Sequence, residues 1–331
     1  MLMLYSFAIR RFGTCSRRLT KIDWRKEFES LHIDDVKPLP KLRTVEISAQ
    51  VIKPTRGIEI NQNKSPLILI HGLFGAKQNY ASVGKQISSL TQREVIGLDM
   101  RNHGASPHAA PHTYMAMARD TIEYLEKHIK VPVALAGHLM GAKVSMLVAL
   151  LRPELIEKLV VIDNSPASET LDQQFYRDLL GLCHLERDKS LPGLPKTALH
   201  AKMDKILLKY EKDKLVRLFL MSNLCKRTTK HDTLPIKFRV PVLNFLKDDV
   251  LRELGMWPED VKGKKCHGPV KVMKAAESNF IQEHNILEDF PRYFDSFDVS
   301  VYECGHWLVS EKPEQFVKEM VDFLDGSSPA Q

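Results

Sequence analysis

Uninterrupted apolar runs and helical periodicities alternate along most of this 331-residue chain. Residues 44–52 alternate polar and apolar side chains, the period of a half-buried strand, and 58–60 offer it a pairing partner. Residues 66–72 run without a break in apolar side chains from Pro66 to Ile70 before ending in His71-Gly72, which predicts a central strand covered on both faces. A helix to about Leu90, a strand over 94–100 and a helix over 114–129 follow, the last with Met117, Thr121, Ile122, Leu125 and Ile129 on one face. From Pro132 an apolar run stops at Gly137, turns sharply and restarts as a helix. Another buried strand covers 158–163. Residues 167–268 change character to charged helical segments broken by prolines, and strands at 269–275 and 297–303 with a helix at 313–324 close the chain. Strands and helices in this rhythm predict βαβ units and a mostly parallel sheet.

The candidate chemistry collects at the strand ends. In Gly137-His-Leu-Met-Gly141 two glycines flank one residue at the spacing of a G-x-S-x-G nucleophile elbow, where small neighbours let a side chain project from a strained turn. The central residue is Leu139, where serine is expected. His71-Gly-Leu-Phe-Gly75 ends the earlier central strand in a glycine turn whose amides suit a developing oxyanion, and Leu73 and Met140 are the expected donors. Asp163 ends its strand, and His306 follows the last one in Cys304-Gly-His-Trp307.

Nucleophile position, acid and histidine therefore run in the order 139, 163, 306, the order of α/β hydrolases, each at the strand edge where open α/β sheets bind ligands. The expected fold is the α/β-hydrolase fold, a mostly parallel central sheet flanked by helices with a helical lid inserted at about 167–268. In it His306 relays the proton and Asp163 orients the imidazole. Glu277, after the next strand, is a rival acid, and Asp163 is preferred because its strand is cleaner. His103, His108 and His112 are read as loop residues, and no metal is expected.

Composition narrows the remainder. With 44% hydrophobic and 27% charged residues, neither disorder nor a coiled coil is indicated. No run is long and apolar enough to span a bilayer. The net charge of +7 raises nucleic acid, but Arg10, Arg11, Arg17, Arg18 and Lys21 all precede the first acid, Asp23. The remaining excess is too small to argue for a phosphate-binding surface. That acid-free start, with arginines among Leu4, Phe7, Ile9, Phe12 and Leu19, predicts residues 1–22 to be a mitochondrial transit peptide ahead of a domain at 40–331, hence a mitochondrial location. The five scattered cysteines, with no C-x-x-C pair, predict free thiols rather than a zinc site.

Five segments together resemble the yeast ethanol acetyltransferase family: His71-Gly-Leu-Phe-Gly75, Asp99-Met-Arg-Asn-His-Gly-Ala-Ser106, Gly137-His-Leu-Met-Gly-Ala-Lys143, Val161-Ile-Asp-Asn-Ser-Pro166 and Gly305-His-Trp307. The resemblance runs from about residue 44 to the end. It implies a serine-triad enzyme that moves an acetyl group from acetyl-CoA to ethanol, giving ethyl acetate, with esterase and thioesterase side activity. Acetyl-CoA is then a substrate, the other partners are short alcohols and esters, and no cofactor is implied. It also implies Asp163 and His306 as triad members and puts Leu139 where the family has serine. Two readings of that leucine stand open. One is an enzyme lineage, in which Leu139 is a recent substitution or a CTG codon that some yeasts decode as serine. The other is a catalytically inactive relative that binds a ligand or partner. Intact glycine turns and triad partners favour the first.

Overall fold

Seven short strands make one sheet: β1 (Ala49–Ile52), β2 (Leu67–Ile70), β3 (Val95–Leu98), β4 (Val133–His138), β5 (Ile156–Ile162), β6 (Val270–Ala275) and β7 (Phe297–Tyr302). Their spatial order is β1-β3-β2-β4-β5-β6-β7, and every neighbouring pair is parallel except β1 with β3. The computed structural model describes residues 29–31, 33–225 and 236–326. The expected transit peptide at 1–22 lies outside the described residues.

Burial explains the strand assignments. All four residues of β2 and all six of β4 are buried, because parallel strands at the middle of such a sheet are covered on both faces. From β2 the chain moves outward to β3 and then returns past β2 to β4. The order therefore reverses between β2 and β4, and crevices for ligands open at such switch points.

The helices, in chain order, are α1 (Ala81–Thr91), α2 (Tyr114–Tyr124), α3 (Met140–Leu151), α4 (Gln173–Arg187), α5 (Lys196–Leu207), α6 (Lys214–Met221), α7 (Val242–Lys247) and α8 (Pro313–Asp325), with shorter turns between them. Helix α3 is buried from Met140 to Leu150, as its nearly all-round apolar sequence requires. Phe316, Val317, Met320 and Leu324 of α8 pack with Val83 and Ile87 of α1 and the sheet in a shared core.

Two edges differ from expectation. The alternation holds at 45–47, with Val45 and Ile47 buried around an exposed Glu46, and breaks in 49–52, where Val51 is exposed, yet only 49–52 joins the ladder. Upstream, side chains replace ladder partners: Asp120 accepts from the Val45 amide at 2.9 Å and Ser106 Oγ from the Ser48 amide at 2.8 Å. Residues 58–60 do not pair with this strand. The Ile58 amide instead closes a turn onto Thr55 O, and its side chain is exposed.

The chain divides into two compact units. The sheet unit comprises Pro40–Thr170 with the stretch from Glu253 onward, and the helical unit comprises Leu171–Arg252 with the described residues before 40. Of the 167–268 stretch, the part after Arg252 therefore belongs to the sheet unit. The helical unit has its own apolar interior, including Leu179, Leu182, Cys183, Leu199, Met203, Leu207 and Leu220. Among the described residues Cys183, Cys225, Cys266 and Cys304 are free thiols, and no helix is long and apolar enough to cross a membrane.

Candidate active site

The turn between β4 and α3 requires its glycines. A Cβ on Gly137 would sit 2.1 Å from Gly141 O, and one on Gly141 would sit 2.4 Å from Ile70 O. The backbone can therefore double back against β2 only with hydrogen at both positions. Between them Leu139 adopts φ 50° and ψ −110°, a region that costs an L-residue about 1–3 kcal/mol and persists only where surrounding contacts enforce it. The leucine side chain is buried, and it makes no side-chain cap to α3.

Asp163 leaves β5 with φ 49° and is completely buried. Its amide donates to Met273 O at 2.9 Å, and its Oδ1 accepts from the Ala275 amide at 3.1 Å, so β6 aims the carboxylate. The other oxygen, Oδ2, lies 2.7 Å from His306 Nδ1. A buried carboxylate facing Nδ1 places the imidazole proton there and leaves Nε2 as the basic atom. His306 Nε2 is itself buried and has no hydrogen-bond partner among the described residues. Glu311 secures the turn that carries it, accepting from the Gly305 amide at 3.1 Å and the Trp307 amide at 3.2 Å. Rings crowd the imidazole, with centroids 4.6 Å away for His138 and 4.5 Å for Phe280. Glu277 is exposed, and it is tied to this turn through its backbone, whose amide donates to Cys304 O at 3.1 Å. The structure thus brings Asp163, not Glu277, to the histidine.

The glycine turn after β2 is set by two histidines. The Met100 amide donates to His71 Nε2 at 3.1 Å, so Nδ1 carries the proton and donates to Gly72 O at 2.8 Å. The Phe74 amide donates to His103 Nε2 at 3.3 Å, and His103 Nδ1 donates to Arg101 O at 3.1 Å. Burial holds both imidazoles below their ordinary pKa, and it pushes buried His112 down to about 3. Neutral rings are what these bonds need, because each must accept at one nitrogen and donate at the other. His103 is therefore a fixed structural group, buried His112 accepts at Nδ1 from Asn102 Nδ2 at 3.1 Å, and His108 is exposed. Leu73 lies in this turn, and Met140 opens α3, where the first amides of a helix have no intrahelical acceptor.

Two buried ion pairs hold the loop after β3. Arg101 makes a bidentate pair with Asp120, at 2.6 and 2.7 Å, and also donates to Pro111 O at 2.8 Å. Asp99 accepts from the Lys77 amide and side chain and from the Ala105 amide. Burial raises the Asp120 pKa despite the arginine. Behind the elbow, buried Lys143 donates to Ala167 O at 2.7 Å and lies over the Tyr114 ring. Its pKa is lowered to about 8 by burial, with Glu169 opposing the shift. These groups escaped the sequence reading because they carry no spacing signal, although Lys143 and Asp99 lie inside segments already singled out.

A profile of the alpha/beta hydrolase fold matches residues 65–313. An abhydrolase domain-containing protein of Schizosaccharomyces pombe is 34% identical over 263 residues, covering 78% of this chain and 92% of that protein. Ethanol acetyltransferase 1 of Wickerhamomyces anomalus is 30% identical over 302 residues, 87% of this chain and 76% of its own length. The protein of the same name from Kluyveromyces marxianus is 29% identical over 304 residues, 87% and 82% of the two chains. Among solved structures, a marine microorganism esterase superposes with a TM-score of 0.71 at 23% identity, over 84% of this chain and 99% of that one. At that identity the likeness bears on the fold alone.

Proposed function

Because the chain belongs to the alpha/beta hydrolase fold family, with ethanol acetyltransferases among its relatives, we propose that it is an alcohol O-acetyltransferase scaffold whose nucleophile position holds Leu139. The observation that carries the reading is buried Asp163 paired with partly buried His306, whose Nε2 has no hydrogen-bond partner among the described residues, on a turn hydrogen-bonded to a strained elbow. With serine at 139, the hydroxyl would attack the acetyl-CoA thioester as His306 Nε2 takes its proton. The amides of Leu73 and Met140 would receive the oxyanion, and the proton would leave with the CoA thiol. Ethanol would then attack the acetyl-enzyme, giving ethyl acetate and restoring the hydroxyl. Water in its place hydrolyses the acetyl-enzyme, which is the thioesterase reaction when acetyl-CoA is the donor and the esterase reaction when an ester is the donor and its alcohol leaves.

As the chain stands, leucine has no nucleophilic atom, and loss of the nucleophile costs about 10⁶ in rate. That fact favours a second reading, a relative that binds acetyl-CoA or a partner without turnover. Leu139→Ser separates the two. Incubated with acetyl-CoA and ethanol, it should make ethyl acetate detectable by gas chromatography and form an acetyl-enzyme visible by mass. A folded Leu139→Ser protein that binds acetyl-CoA and forms no acetyl-enzyme leaves the binding reading in place. Mass spectrometry of residue 139 in the natural protein separates a decoded serine from a true leucine. For location, we propose that residues 1–22 direct mitochondrial import; a reporter fused to them that stays in the cytosol refutes it.

A further inference from the structure

Three loops meet at this site, and the bonds between them close a ring. The elbow after β4 is joined to the acid loop after β5 by Asn164, whose Nδ2 donates to Leu139 O at 2.9 Å. The acid loop is joined to the loop after β7 by Asp163 and His306 at 2.7 Å. That last loop returns to the elbow through His138, whose Nε2 lies 3.0 Å from the backbone oxygen of His306. From these bonds we propose that His138 and Asn164 are positioning residues, which hold the nucleophile position and the His306 imidazole in register for acyl transfer. The proposal rests on the acyl-transfer reading above.

The chemistry of each bond is unambiguous. A carbonyl only accepts, so His138 Nε2 must carry the proton. Burial and the neighbouring His306 push the His138 pKa down to about 3, which keeps that ring a neutral donor. Asn164 uses both ends of its amide, since its Oδ1 accepts from the Ser165 amide at 2.8 Å. The group at the other end of its Nδ2 bond is the carbonyl of the strained residue itself. Leu139 and Asp163 both hold positive φ, and such conformations last only when neighbours over-determine them. The ring supplies that constraint across sequence separations of 25, 143 and 168 residues. It contains no atom of the side chain at 139. The Asp163–His306 geometry therefore survives without a serine.

The test uses four proteins carrying Leu139→Ser: one otherwise unaltered, and others with His138→Leu, His138→Gln or Asn164→Asp added. Hydrolysis of p-nitrophenyl acetate is the readout. His138→Leu removes the donor and should lower kcat about 10²-fold with little change in KM, the scale of a roughly 1 Å misplacement. The glutamine amide reaches as far as Nε2–H, so His138→Gln should recover most of that loss. Asn164→Asp keeps the acceptor to Ser165 but loses the donor, and kcat should fall about 10-fold or more. A second readout needs no turnover: ¹⁵N spectra of the chain with Leu139 in place should show His306 protonated at Nδ1, and His138→Leu should blur or abolish that signal. If the Leu139→Ser protein is inert, the acyl-transfer reading fails and the imidazole signal still decides the positioning role. Kinetics within twofold for His138→Leu and Asn164→Asp, or an unmoved His306 signal, overturns the proposal. Equal losses for His138→Leu and His138→Gln, tracking thermal stability, also overturn it in favour of a packing role.

Discussion

In the sheet unit, polar side chains join residues far apart in sequence: His306 with Asp163, His138 with His306, Arg101 with Asp120, and Asp120 with Val45. In the helical unit several act close to home, although Asn244 also donates to Lys37 O across 207 positions. Asp172, Asp188 and Asp213 each accept from the amide two residues on, and Arg217 pairs with Asp204 one helix back. Both units bury carboxyls, Asp99, Asp120 and Asp163 in the sheet unit and Asp178 in the helical unit, but among the described residues the buried imidazoles, His71, His103, His112 and His138, lie in the sheet unit. In the helical unit Asp178 lies beside Glu211. A network of long closures forms only once the sheet has paid its loop entropy, so function in the sheet unit hangs on the whole tertiary structure. The helical unit depends more on local propensity.

The sharpest break of this contrast lies in the long-range pair. In a Leu139→Ser background, Asp163→Asn should lower turnover by about 10⁴ through loss of imidazole orientation, whereas Glu277→Gln should stay within about threefold, as steady-state kinetics will show. The opposite ranking refutes the assignment of the acid.

Next in size is a stability effect. Asp120→Ala strands a buried arginine and should cost about 3–5 kcal/mol in denaturant unfolding. In the helical unit, Asp35→Ala removes the exposed partner of Arg187 and should cost under about 1 kcal/mol.

Acid and base should then separate the units. Burial holds the four imidazoles neutral in the fold, while the unfolded chain protonates them near 6.5. Their contribution is complete above that pH and is lost as pH falls below it, reaching down to about 3 for His112 and His138. Asp178 runs the other way: burial raises its pKa from 3.8 to about 8, against a hydrogen bond from Gln174 that lowers it and with Glu211 adding to the rise. Its contribution is complete below 3.8 and is lost as pH rises through about 8. Hydrogen exchange at pH 5 and pH 9 should show protection falling first in the sheet unit at the acid side and in the helical unit at the alkaline side. Asp178→Asn should remove the alkaline loss. The smallest expected effect is Asp213→Ala, which deletes the cap on α6 and should cost about 1 kcal/mol, confined to exchange in that helix.

How much of this was legible beforehand follows from the range of the forces involved. The buried strands at 67–70 and 133–138 and the glycine pair at 137 and 141 announce themselves, because burial on both faces demands unbroken apolar runs and a tight turn demands hydrogen in place of a side chain. The paired strand 49–52 and the unpaired segment 58–60 were harder to read. Alternation records which side chains face inward, not whether a neighbouring backbone is free to complete the ladder.

Local pattern by itself determined the strand–helix elements, the elbow and the glycine turn, since each is written in residues within one turn or one element of each other, and it offered His306 with two acids, Asp163 and Glu277. Only the tertiary structure decided which acid meets His306. Asp163 and Glu277 both follow strands, but the register of β5 on β6 buries one carboxylate and leaves the other in water. It also decided what His138, Asn164, His71 and His103 do. A hydrogen bond acts over about 3 Å, and its partners here stand between 25 and 168 positions apart along the chain, with His71 and His103 each reaching 29.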